Sequence, residues 1–187
     1  MREVFVLLGS NRGDRMDYLD RALQMISGQA GIVLKKSGIY ETAPWGFEDS
    51  ISFLNQVIEL ETNLNPNELL EQLLAIETKL GRIRPFSACG CSIQPSSDRL
   101  SQMNADNQYV EFQYQGRTID LDILFYGDKL VFTDDLMVPH PRLHERSFTL
   151  IPLNEIAPDM VHPLLKKKIS SLLTECRDQA KVIAFYH

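Results

Sequence analysis

The chain has 187 residues, 44% hydrophobic and 24% charged, with a formal net charge of -6. That length fits one domain with a core of its own, and the composition is ordinary for a globular protein. The acidic balance argues against a general nucleic-acid binder, which needs a basic surface, and no apolar run is long enough to cross a bilayer.

Taken in chain order, "EVFVLLG" predicts a first strand, and the charges directly after it argue against a signal peptide. "SNRGDRMDYLDRALQMISGQ" sets Tyr18, Leu19, Ala22, Leu23 and Ile26 at helical spacing. "GIVLKKSGIYETAP" and "SFLNQVIELETN" read as two further strands. "NPNELLEQLLAIETKLG" is the clearest helix, with Asn65 to cap it, Pro66 at its first position and Gly81 to end it. Residues 85–107 are polar and predict a loop insertion, either a lid over a site, as its arginine and aspartate neighbours suggest, or an inert surface insertion. "YVEFQYQGRTIDLDILFYG" alternates on both sides of Gln115-Gly116, like two strands around a turn. "RSFTLIPLNEIAP" and "LKKKISSLLTECRDQ" read as helices, and "KVIAFY" as a last strand. The order strand, helix, strand, strand, helix, strand predicts one α+β domain over residues 1–187. Its architecture is a ferredoxin-like sandwich, a mainly antiparallel sheet with helices packed on it. Cys89, Cys91 and Cys176 are odd in number and lack a framework spacing, which predicts reduced thiols and a cytoplasmic setting.

Three clusters carry chemistry. In "GRTIDLDIL", Asp120 and Asp122 alternate with apolar residues, so both carboxylates leave one face of a strand, with Cα atoms roughly 6 to 7 Å apart. Like charges that close repel unless a cation lies between them, and hard Mg²⁺ bound also by a substrate phosphate fits. A solvent-facing strand edge is the other reading. Arg82 and Arg84 in "GRIRP", Arg117, and Arg142 and Arg146 suit anion recognition, because guanidinium groups grip phosphate bidentately. Arg82 and Arg84 also suit the C-terminal dipole of the preceding helix. In "YETAPWGFEDSISFLNQV", Phe53 and Asn55 share a parity, so a ring and an amide point the same way. With Thr42 and Trp45 they could hold a flat heterocycle, or simply pack a hairpin loop. His140 and His144 flank Pro141, which argues against a zinc helix.

The segments "LGSNRG", "YETAPWG", "FLNQV", "GRIR", "GRTIDLDILFYG", "VPHPRLHERSF" and "LIPLNEIAP" occur together and in order. In this, from about Val4 to Pro158, the chain resembles the 6-hydroxymethyl-7,8-dihydropterin pyrophosphokinases of folate synthesis. The resemblance implies diphosphate transfer from ATP to the pterin hydroxymethyl group on a ferredoxin-like fold. It implies two Mg²⁺ ions on Asp120 and Asp122. It implies ATP contacts at Glu77, Arg82, Arg84, Arg117, Ile123, Leu136, His140 and Arg146. The pterin would meet Thr42, Ala43, Trp45, Phe53, Asn55 and Phe148, with Phe53 and Phe148 stacked on its two faces. Arg82, Arg117, Asp120 and Asp122 would form the catalytic set. The expected partners are these small molecules, with neither nucleic acid nor membrane, and the chain is expected to act as a monomer. One departure stands out. The family's Trp-Gly-Pro-Arg run reads Tyr114-Gln115-Gly116-Arg117 here, so the loop tryptophan is missing. Tyr114 and Arg99 are the candidates to replace that tryptophan and the arginine before it. Two rivals remain open on the residues alone, another Mg²⁺-dependent transferase on this fold and a regulatory module that binds without turnover.

Overall fold

The computed structural model of the protein describes residues 1–43, 51–82, 102–103, 109–110 and 117–186. Strand β1 (Arg2–Ser10) buries Val4, Val6 and Leu8 on one face and Phe5 and Leu7 on the other. Its unbroken apolar run follows from a sheet covered on both sides. Helix α1 (Arg15–Gln29) starts from a tight turn. Gly13 takes φ 62°, open to glycine, and Asp14 caps the helix by accepting the Asp17 N–H at 3.1 Å.

The stretch read as one strand over 31–44 is two, β2 (Ile32–Lys36) and β3 (Ile39–Thr42), both paired with β4 (Phe53–Thr62). The break falls at Ser37. Its hydroxyl oxygen accepts the Val57 N–H at 3.0 Å, and its carbonyl accepts from Gln56 Nε2 at 2.8 Å. Helix α2 (Pro66–Lys79) begins with the expected Asn65 cap, completed by Glu68 in a capping box.

Strands β5 (Gln102–Met103) and β6 (Tyr109–Val110) pair with each other. Strand β7 (Asp120–Tyr126) pairs antiparallel with β1, through Leu7↔Asp122 and Gly9↔Asp120. Of the two strands expected around the Gln115-Gly116 turn, β7 is described, and of the first only Tyr109–Val110 is, paired with β5; residues 111–116, and with them the turn, lie outside the described residues. The rest of the 85–107 insertion lies outside them too, apart from Gln102–Met103. A short ribbon, β8 (Val131–Phe132) with β9 (Met137–Val138), leads to a 3-10 turn at Leu143–Glu145 and to α3 (Ser147–Ile156). Helix α4 spans only Ile169–Glu175, shorter than the expected 165–179. The residues before it fold back instead, with the His162 N–H on the Lys167 carbonyl at 2.8 Å and a Val161↔Lys168 bridge. Strand β10 (Val182–Phe185) pairs with β3.

The main sheet runs β10-β3-β4-β1-β7, all pairings antiparallel. Strand β4 is thus inserted between β1 and β3, and β1 between β4 and β7, with α1 and α2 as the connections. This is the interleaved pair of βαβ units expected of a ferredoxin-like sandwich. Leu19, Ala22, Ile26, Leu69, Leu73 and Ile76 of α1 and α2 fill one face with Leu121 and Ile123 of β7. Leu150, Leu153, Ile169 and Leu172 of α3 and α4 fill the other against Phe5, Leu7, Val57 and Phe125. Among the described residues no helix is long and apolar enough to cross a membrane.

Candidate active site

One row of residues crosses four strands on the α3 side of the sheet. Tyr40 of β3 pairs with Asn55 of β4, Asn55 with Gly9 of β1, and Gly9 with Asp120 of β7. Asn55 and Asp120 are two strands apart, roughly 10 Å at the usual interstrand spacing. Between them Gly9 presents bare backbone. A Cβ built there would lie 3.3 Å from Asn55 Oδ1, 3.7 Å from Phe53 Cδ1 and 3.9 Å from Asp120 Cβ. The aromatic-amide pair and the acidic pair read from the sequence therefore share one floor, which a side chain at position 9 would fill.

On the β4 side, Thr42 and Asn55 are each 3% exposed, and Asn55 Nδ2 donates to Thr42 Oγ1 at 2.8 Å. That bond fixes the amide orientation and aims Oδ1 at the space over Gly9. Thr42 pairs with Phe53 in the ladder, so both sit at the strand ends. Ala43 follows, exposed. Trp45 lies outside the described residues. Phe148, half-buried in the first turn of α3, has the Arg146 guanidinium 5.6 Å from its ring centre. That turn is held from the chain's tail, where the Asp178 carboxylate accepts the Ser147 N–H at 2.9 Å and its hydroxyl at 2.8 Å.

On the β7 side, Asp120 is ion-paired with both Arg82 and Arg117, and Arg82 also with Glu77. Glu77 is 1% exposed and accepts the Leu121 N–H at 2.8 Å, which ties the end of α2 to β7. Burial alone would raise the Asp120 carboxyl, but Arg117 and Arg82 outweigh it and hold the group well below the usual carboxylate range. Asp122 differs. Burial, and then the charge of Asp120, push it up to about 7. No described side chain donates a hydrogen bond to Asp122. Such an acid, beside a second acid and under-compensated, suits a hard divalent cation. Among the described residues no third His, Cys, Asp or Glu completes a cluster, so a cation here would take its other ligands from phosphate oxygens and water.

His140 lies beside β7, its N–H on the Leu124 carbonyl at 3.0 Å. Its Nδ1 accepts the Arg142 N–H at 3.3 Å, so the neutral ring carries its proton on Nε2. Burial, and then the Arg146 charge, hold the imidazole down at about 4. Ile123 and Leu136 are core side chains, so anything they offer a nucleotide comes from their backbone. Arg84 lies outside the described residues. Sequence reasoning missed Gly9, Asn11, Arg15 and Asp178. "LGSNRG" hinted at the first two, but cross-strand register gives them their places.

The family sequence profile described as 7,8-dihydro-6-hydroxymethylpterin-pyrophosphokinase (HPPK) matches residues 5–93 and 88–158, two pieces that meet inside the polar insertion. A Bacillus subtilis protein, 2-amino-4-hydroxy-6-hydroxymethyldihydropteridine pyrophosphokinase, is 41% identical over 153 residues, 81% of this chain and 76% of its own length. The Aquifex aeolicus protein of the same name is 34% identical over 175 residues, covering 94% and 92%. A solved Plasmodium falciparum HPPK-DHPS shares the fold, with a TM-score of 0.67 at 17% identity over 94% of this chain. This chain spans 43% of that fused chain. Fold, family profile and bacterial relatives agree: the chain belongs to the 7,8-dihydro-6-hydroxymethylpterin pyrophosphokinase family, which moves a diphosphate from ATP to the pterin hydroxymethyl group in folate biosynthesis.

Proposed function

We infer that the chain carries out this transfer on the shared floor around Gly9, with pterin on the β4 side and ATP on the β7 side. The observation that supports it most is the convergence of Asn55, Phe53 and Asp120 on Gly9. The hydroxymethyl oxygen attacks the β-phosphorus of ATP, the bond to the α,β-bridging oxygen breaks, and AMP leaves. The hydroxyl proton passes to solvent, and no side chain is assigned as general base. Most of the acceleration asked of the protein is positioning and charge neutralisation.

Each side chain then has a task. Asn55 and Thr42 read the heterocycle edge, with the Ala43 backbone and Trp45 beside them. Phe53 and Phe148 take its two faces. Arg82, Arg84 and Arg117 hold fixed positive charge against the polyphosphate. Glu77 is given the task of holding Arg82, since it is buried against that residue and the Leu121 N–H. His140 donates from Nε2, and Arg146 pairs with phosphate oxygens. Ile123 and Leu136 bound the nucleotide from backbone. Asp120 and Asp122 hold Mg²⁺, for which two ions are proposed, and the bound metal supplies neutralisation of phosphate charge. The chain is taken to act as a cytoplasmic monomer on these small molecules.

Asp120→Asn and Asp122→Asn test the assignment. Each keeps the side-chain shape and removes a charge. Turnover should fall by about three orders of magnitude or more, the scale of losing a transition-state charge stabiliser. Thermal stability without Mg²⁺ should hold or rise in Asp122→Asn, because that change removes a buried repulsion. Near-wild-type turnover at saturating Mg²⁺ in either variant would contradict the metal role.

A further inference from the structure

We propose that Arg15 is a positioning residue for the pterin side of the site, acting as a clasp between the end of β3 and the start of β4. The inference rests on the functional reading above.

Arg15 is the first residue of α1, and its Nη1 donates to Glu41 Oε1 at 2.7 Å and to the Ser52 carbonyl at 2.8 Å. Glu41 precedes Thr42, and Ser52 precedes Phe53. One guanidinium nitrogen therefore binds the immediate neighbours of two residues assigned to the heterocycle. Both contacts are charge-assisted, and the Arg15 side chain is 23% exposed, so solvent screens them only in part. The chain leaves β3 after Thr42 and returns to β4 at Phe53. Among the described residues the Thr42–Phe53 pair is the last rung of that ladder. The Arg15 clasp is applied at that point.

The same loop also grips the other half of the site. The Asn11 backbone N–H donates to the Arg117 carbonyl at 3.0 Å, and Asn11 Oδ1 accepts the Arg117 N–H at 2.6 Å. Asn11 Nδ2 reaches the Ile51 carbonyl at 3.5 Å. The β1–α1 connection thus anchors the backbone of Arg117, which pairs with Asp120, and the foot of β4, which carries Phe53 and Asn55. Arg15 supplies the part of this grip that faces the pterin residues alone. That division makes the proposal specific. Loosening Arg15 should spoil heterocycle recognition and spare the nucleotide.

The test compares Arg15→Met, which keeps the aliphatic stem and removes both donors, with Arg15→Lys, which keeps the charge on a single ammonium. Steady-state kinetics with ATP, Mg²⁺ and 6-hydroxymethyl-7,8-dihydropterin separate KM for each substrate from kcat, and the melting temperature is read alongside. Arg15→Met should raise the pterin KM about ten-fold, the scale of a small misplacement of a binding group, with the ATP KM within about two-fold. Arg15→Lys should fall between Met and wild type. Glu41→Gln should reproduce part of the loss, and adding it to Arg15→Met should cost little more, because the two residues share one contact. An unchanged pterin KM in Arg15→Met would overturn the proposal. So would equal rises in both KM values, or a loss of kcat that follows only the melting temperature. If Arg15→Met is too unstable to assay, the Glu41→Gln and Arg15→Lys pterin KM values decide in the same way. A wild-type protein inactive with the pterin would instead contradict the functional reading on which the clasp depends.

Discussion

Gly9 carries a chemical statement through what it lacks. Its ladder partners are Asn55 and Asp120, and the nearest atoms a Cβ would meet belong to the amide, the Phe53 ring and the acid. Gly9→Ala should raise the pterin KM about ten-fold, and Gly9→Val about a hundred-fold, because each fills the floor where substrate is to lie. The melting temperature should fall modestly in Gly9→Ala, because its Cβ would press on the Asn55 amide that Thr42 holds in place, which offsets the smaller entropy of the unfolded chain. Steady-state kinetics for the pterin plus a thermal melt check both, and a wild-type pterin KM in Gly9→Val would contradict the shared floor. At this scale the sequence was legible where period two suffices. The common face of Asp120 and Asp122, and that of Phe53 and Asn55, follow from parity alone. Gly9, Arg15 and Asp178 were not legible, because each matters through a partner far away in the chain, and register is not written in local alternation.

Elements show the same division. Helix α2 could be read end to end from Asn65, Pro66 and Gly81, because its start and stop are local chemistry. Helix α4 could not. Its predicted first turn is spent on the fold-back from Val161 to Lys168, stabilised by His162. His162 Nδ1 accepts the N–H groups of Leu164 and Leu165 at 3.2 and 3.3 Å, and its ring lies edge-on to Phe125 at 5.3 Å. Burial, and then His144, hold His162 down at about 4, against an ordinary value of 6.5. The unfolded chain therefore takes up a proton near pH 6.5 that the folded chain resists until about pH 4. Stability from this group is complete above pH 6.5 and is lost as pH falls through that window. His140, also held at about 4, adds to the slope with the same sign. His162→Asn keeps an acceptor for the two N–H groups and cannot titrate, so its melting temperature should fall less steeply than wild type between those pH values. Parallel pH profiles for the two proteins would rule out His162 as the source.

Across the whole molecule, the net charge of -6 coexists with two arginines, Arg82 and Arg117, gathered at one end of the sheet and ion-paired there with Asp120. The strand and helix order, and with it the ferredoxin-like sandwich, was legible because hydrophobic period distinguishes strand from helix. The partner of β7 was not. Alternation on both sides of Gln115-Gly116 marks strand character equally for a hairpin and for two unrelated strands, and the structure pairs β7 with β1 and β6 with β5. The most direct measurement of the central claim is product analysis of the purified protein with ATP, Mg²⁺ and 6-hydroxymethyl-7,8-dihydropterin. AMP and the pterin diphosphate should form in equal amounts, with AMP absent when the pterin is left out. Release of ADP in place of AMP, or AMP formed at the same rate without the pterin, would contradict it.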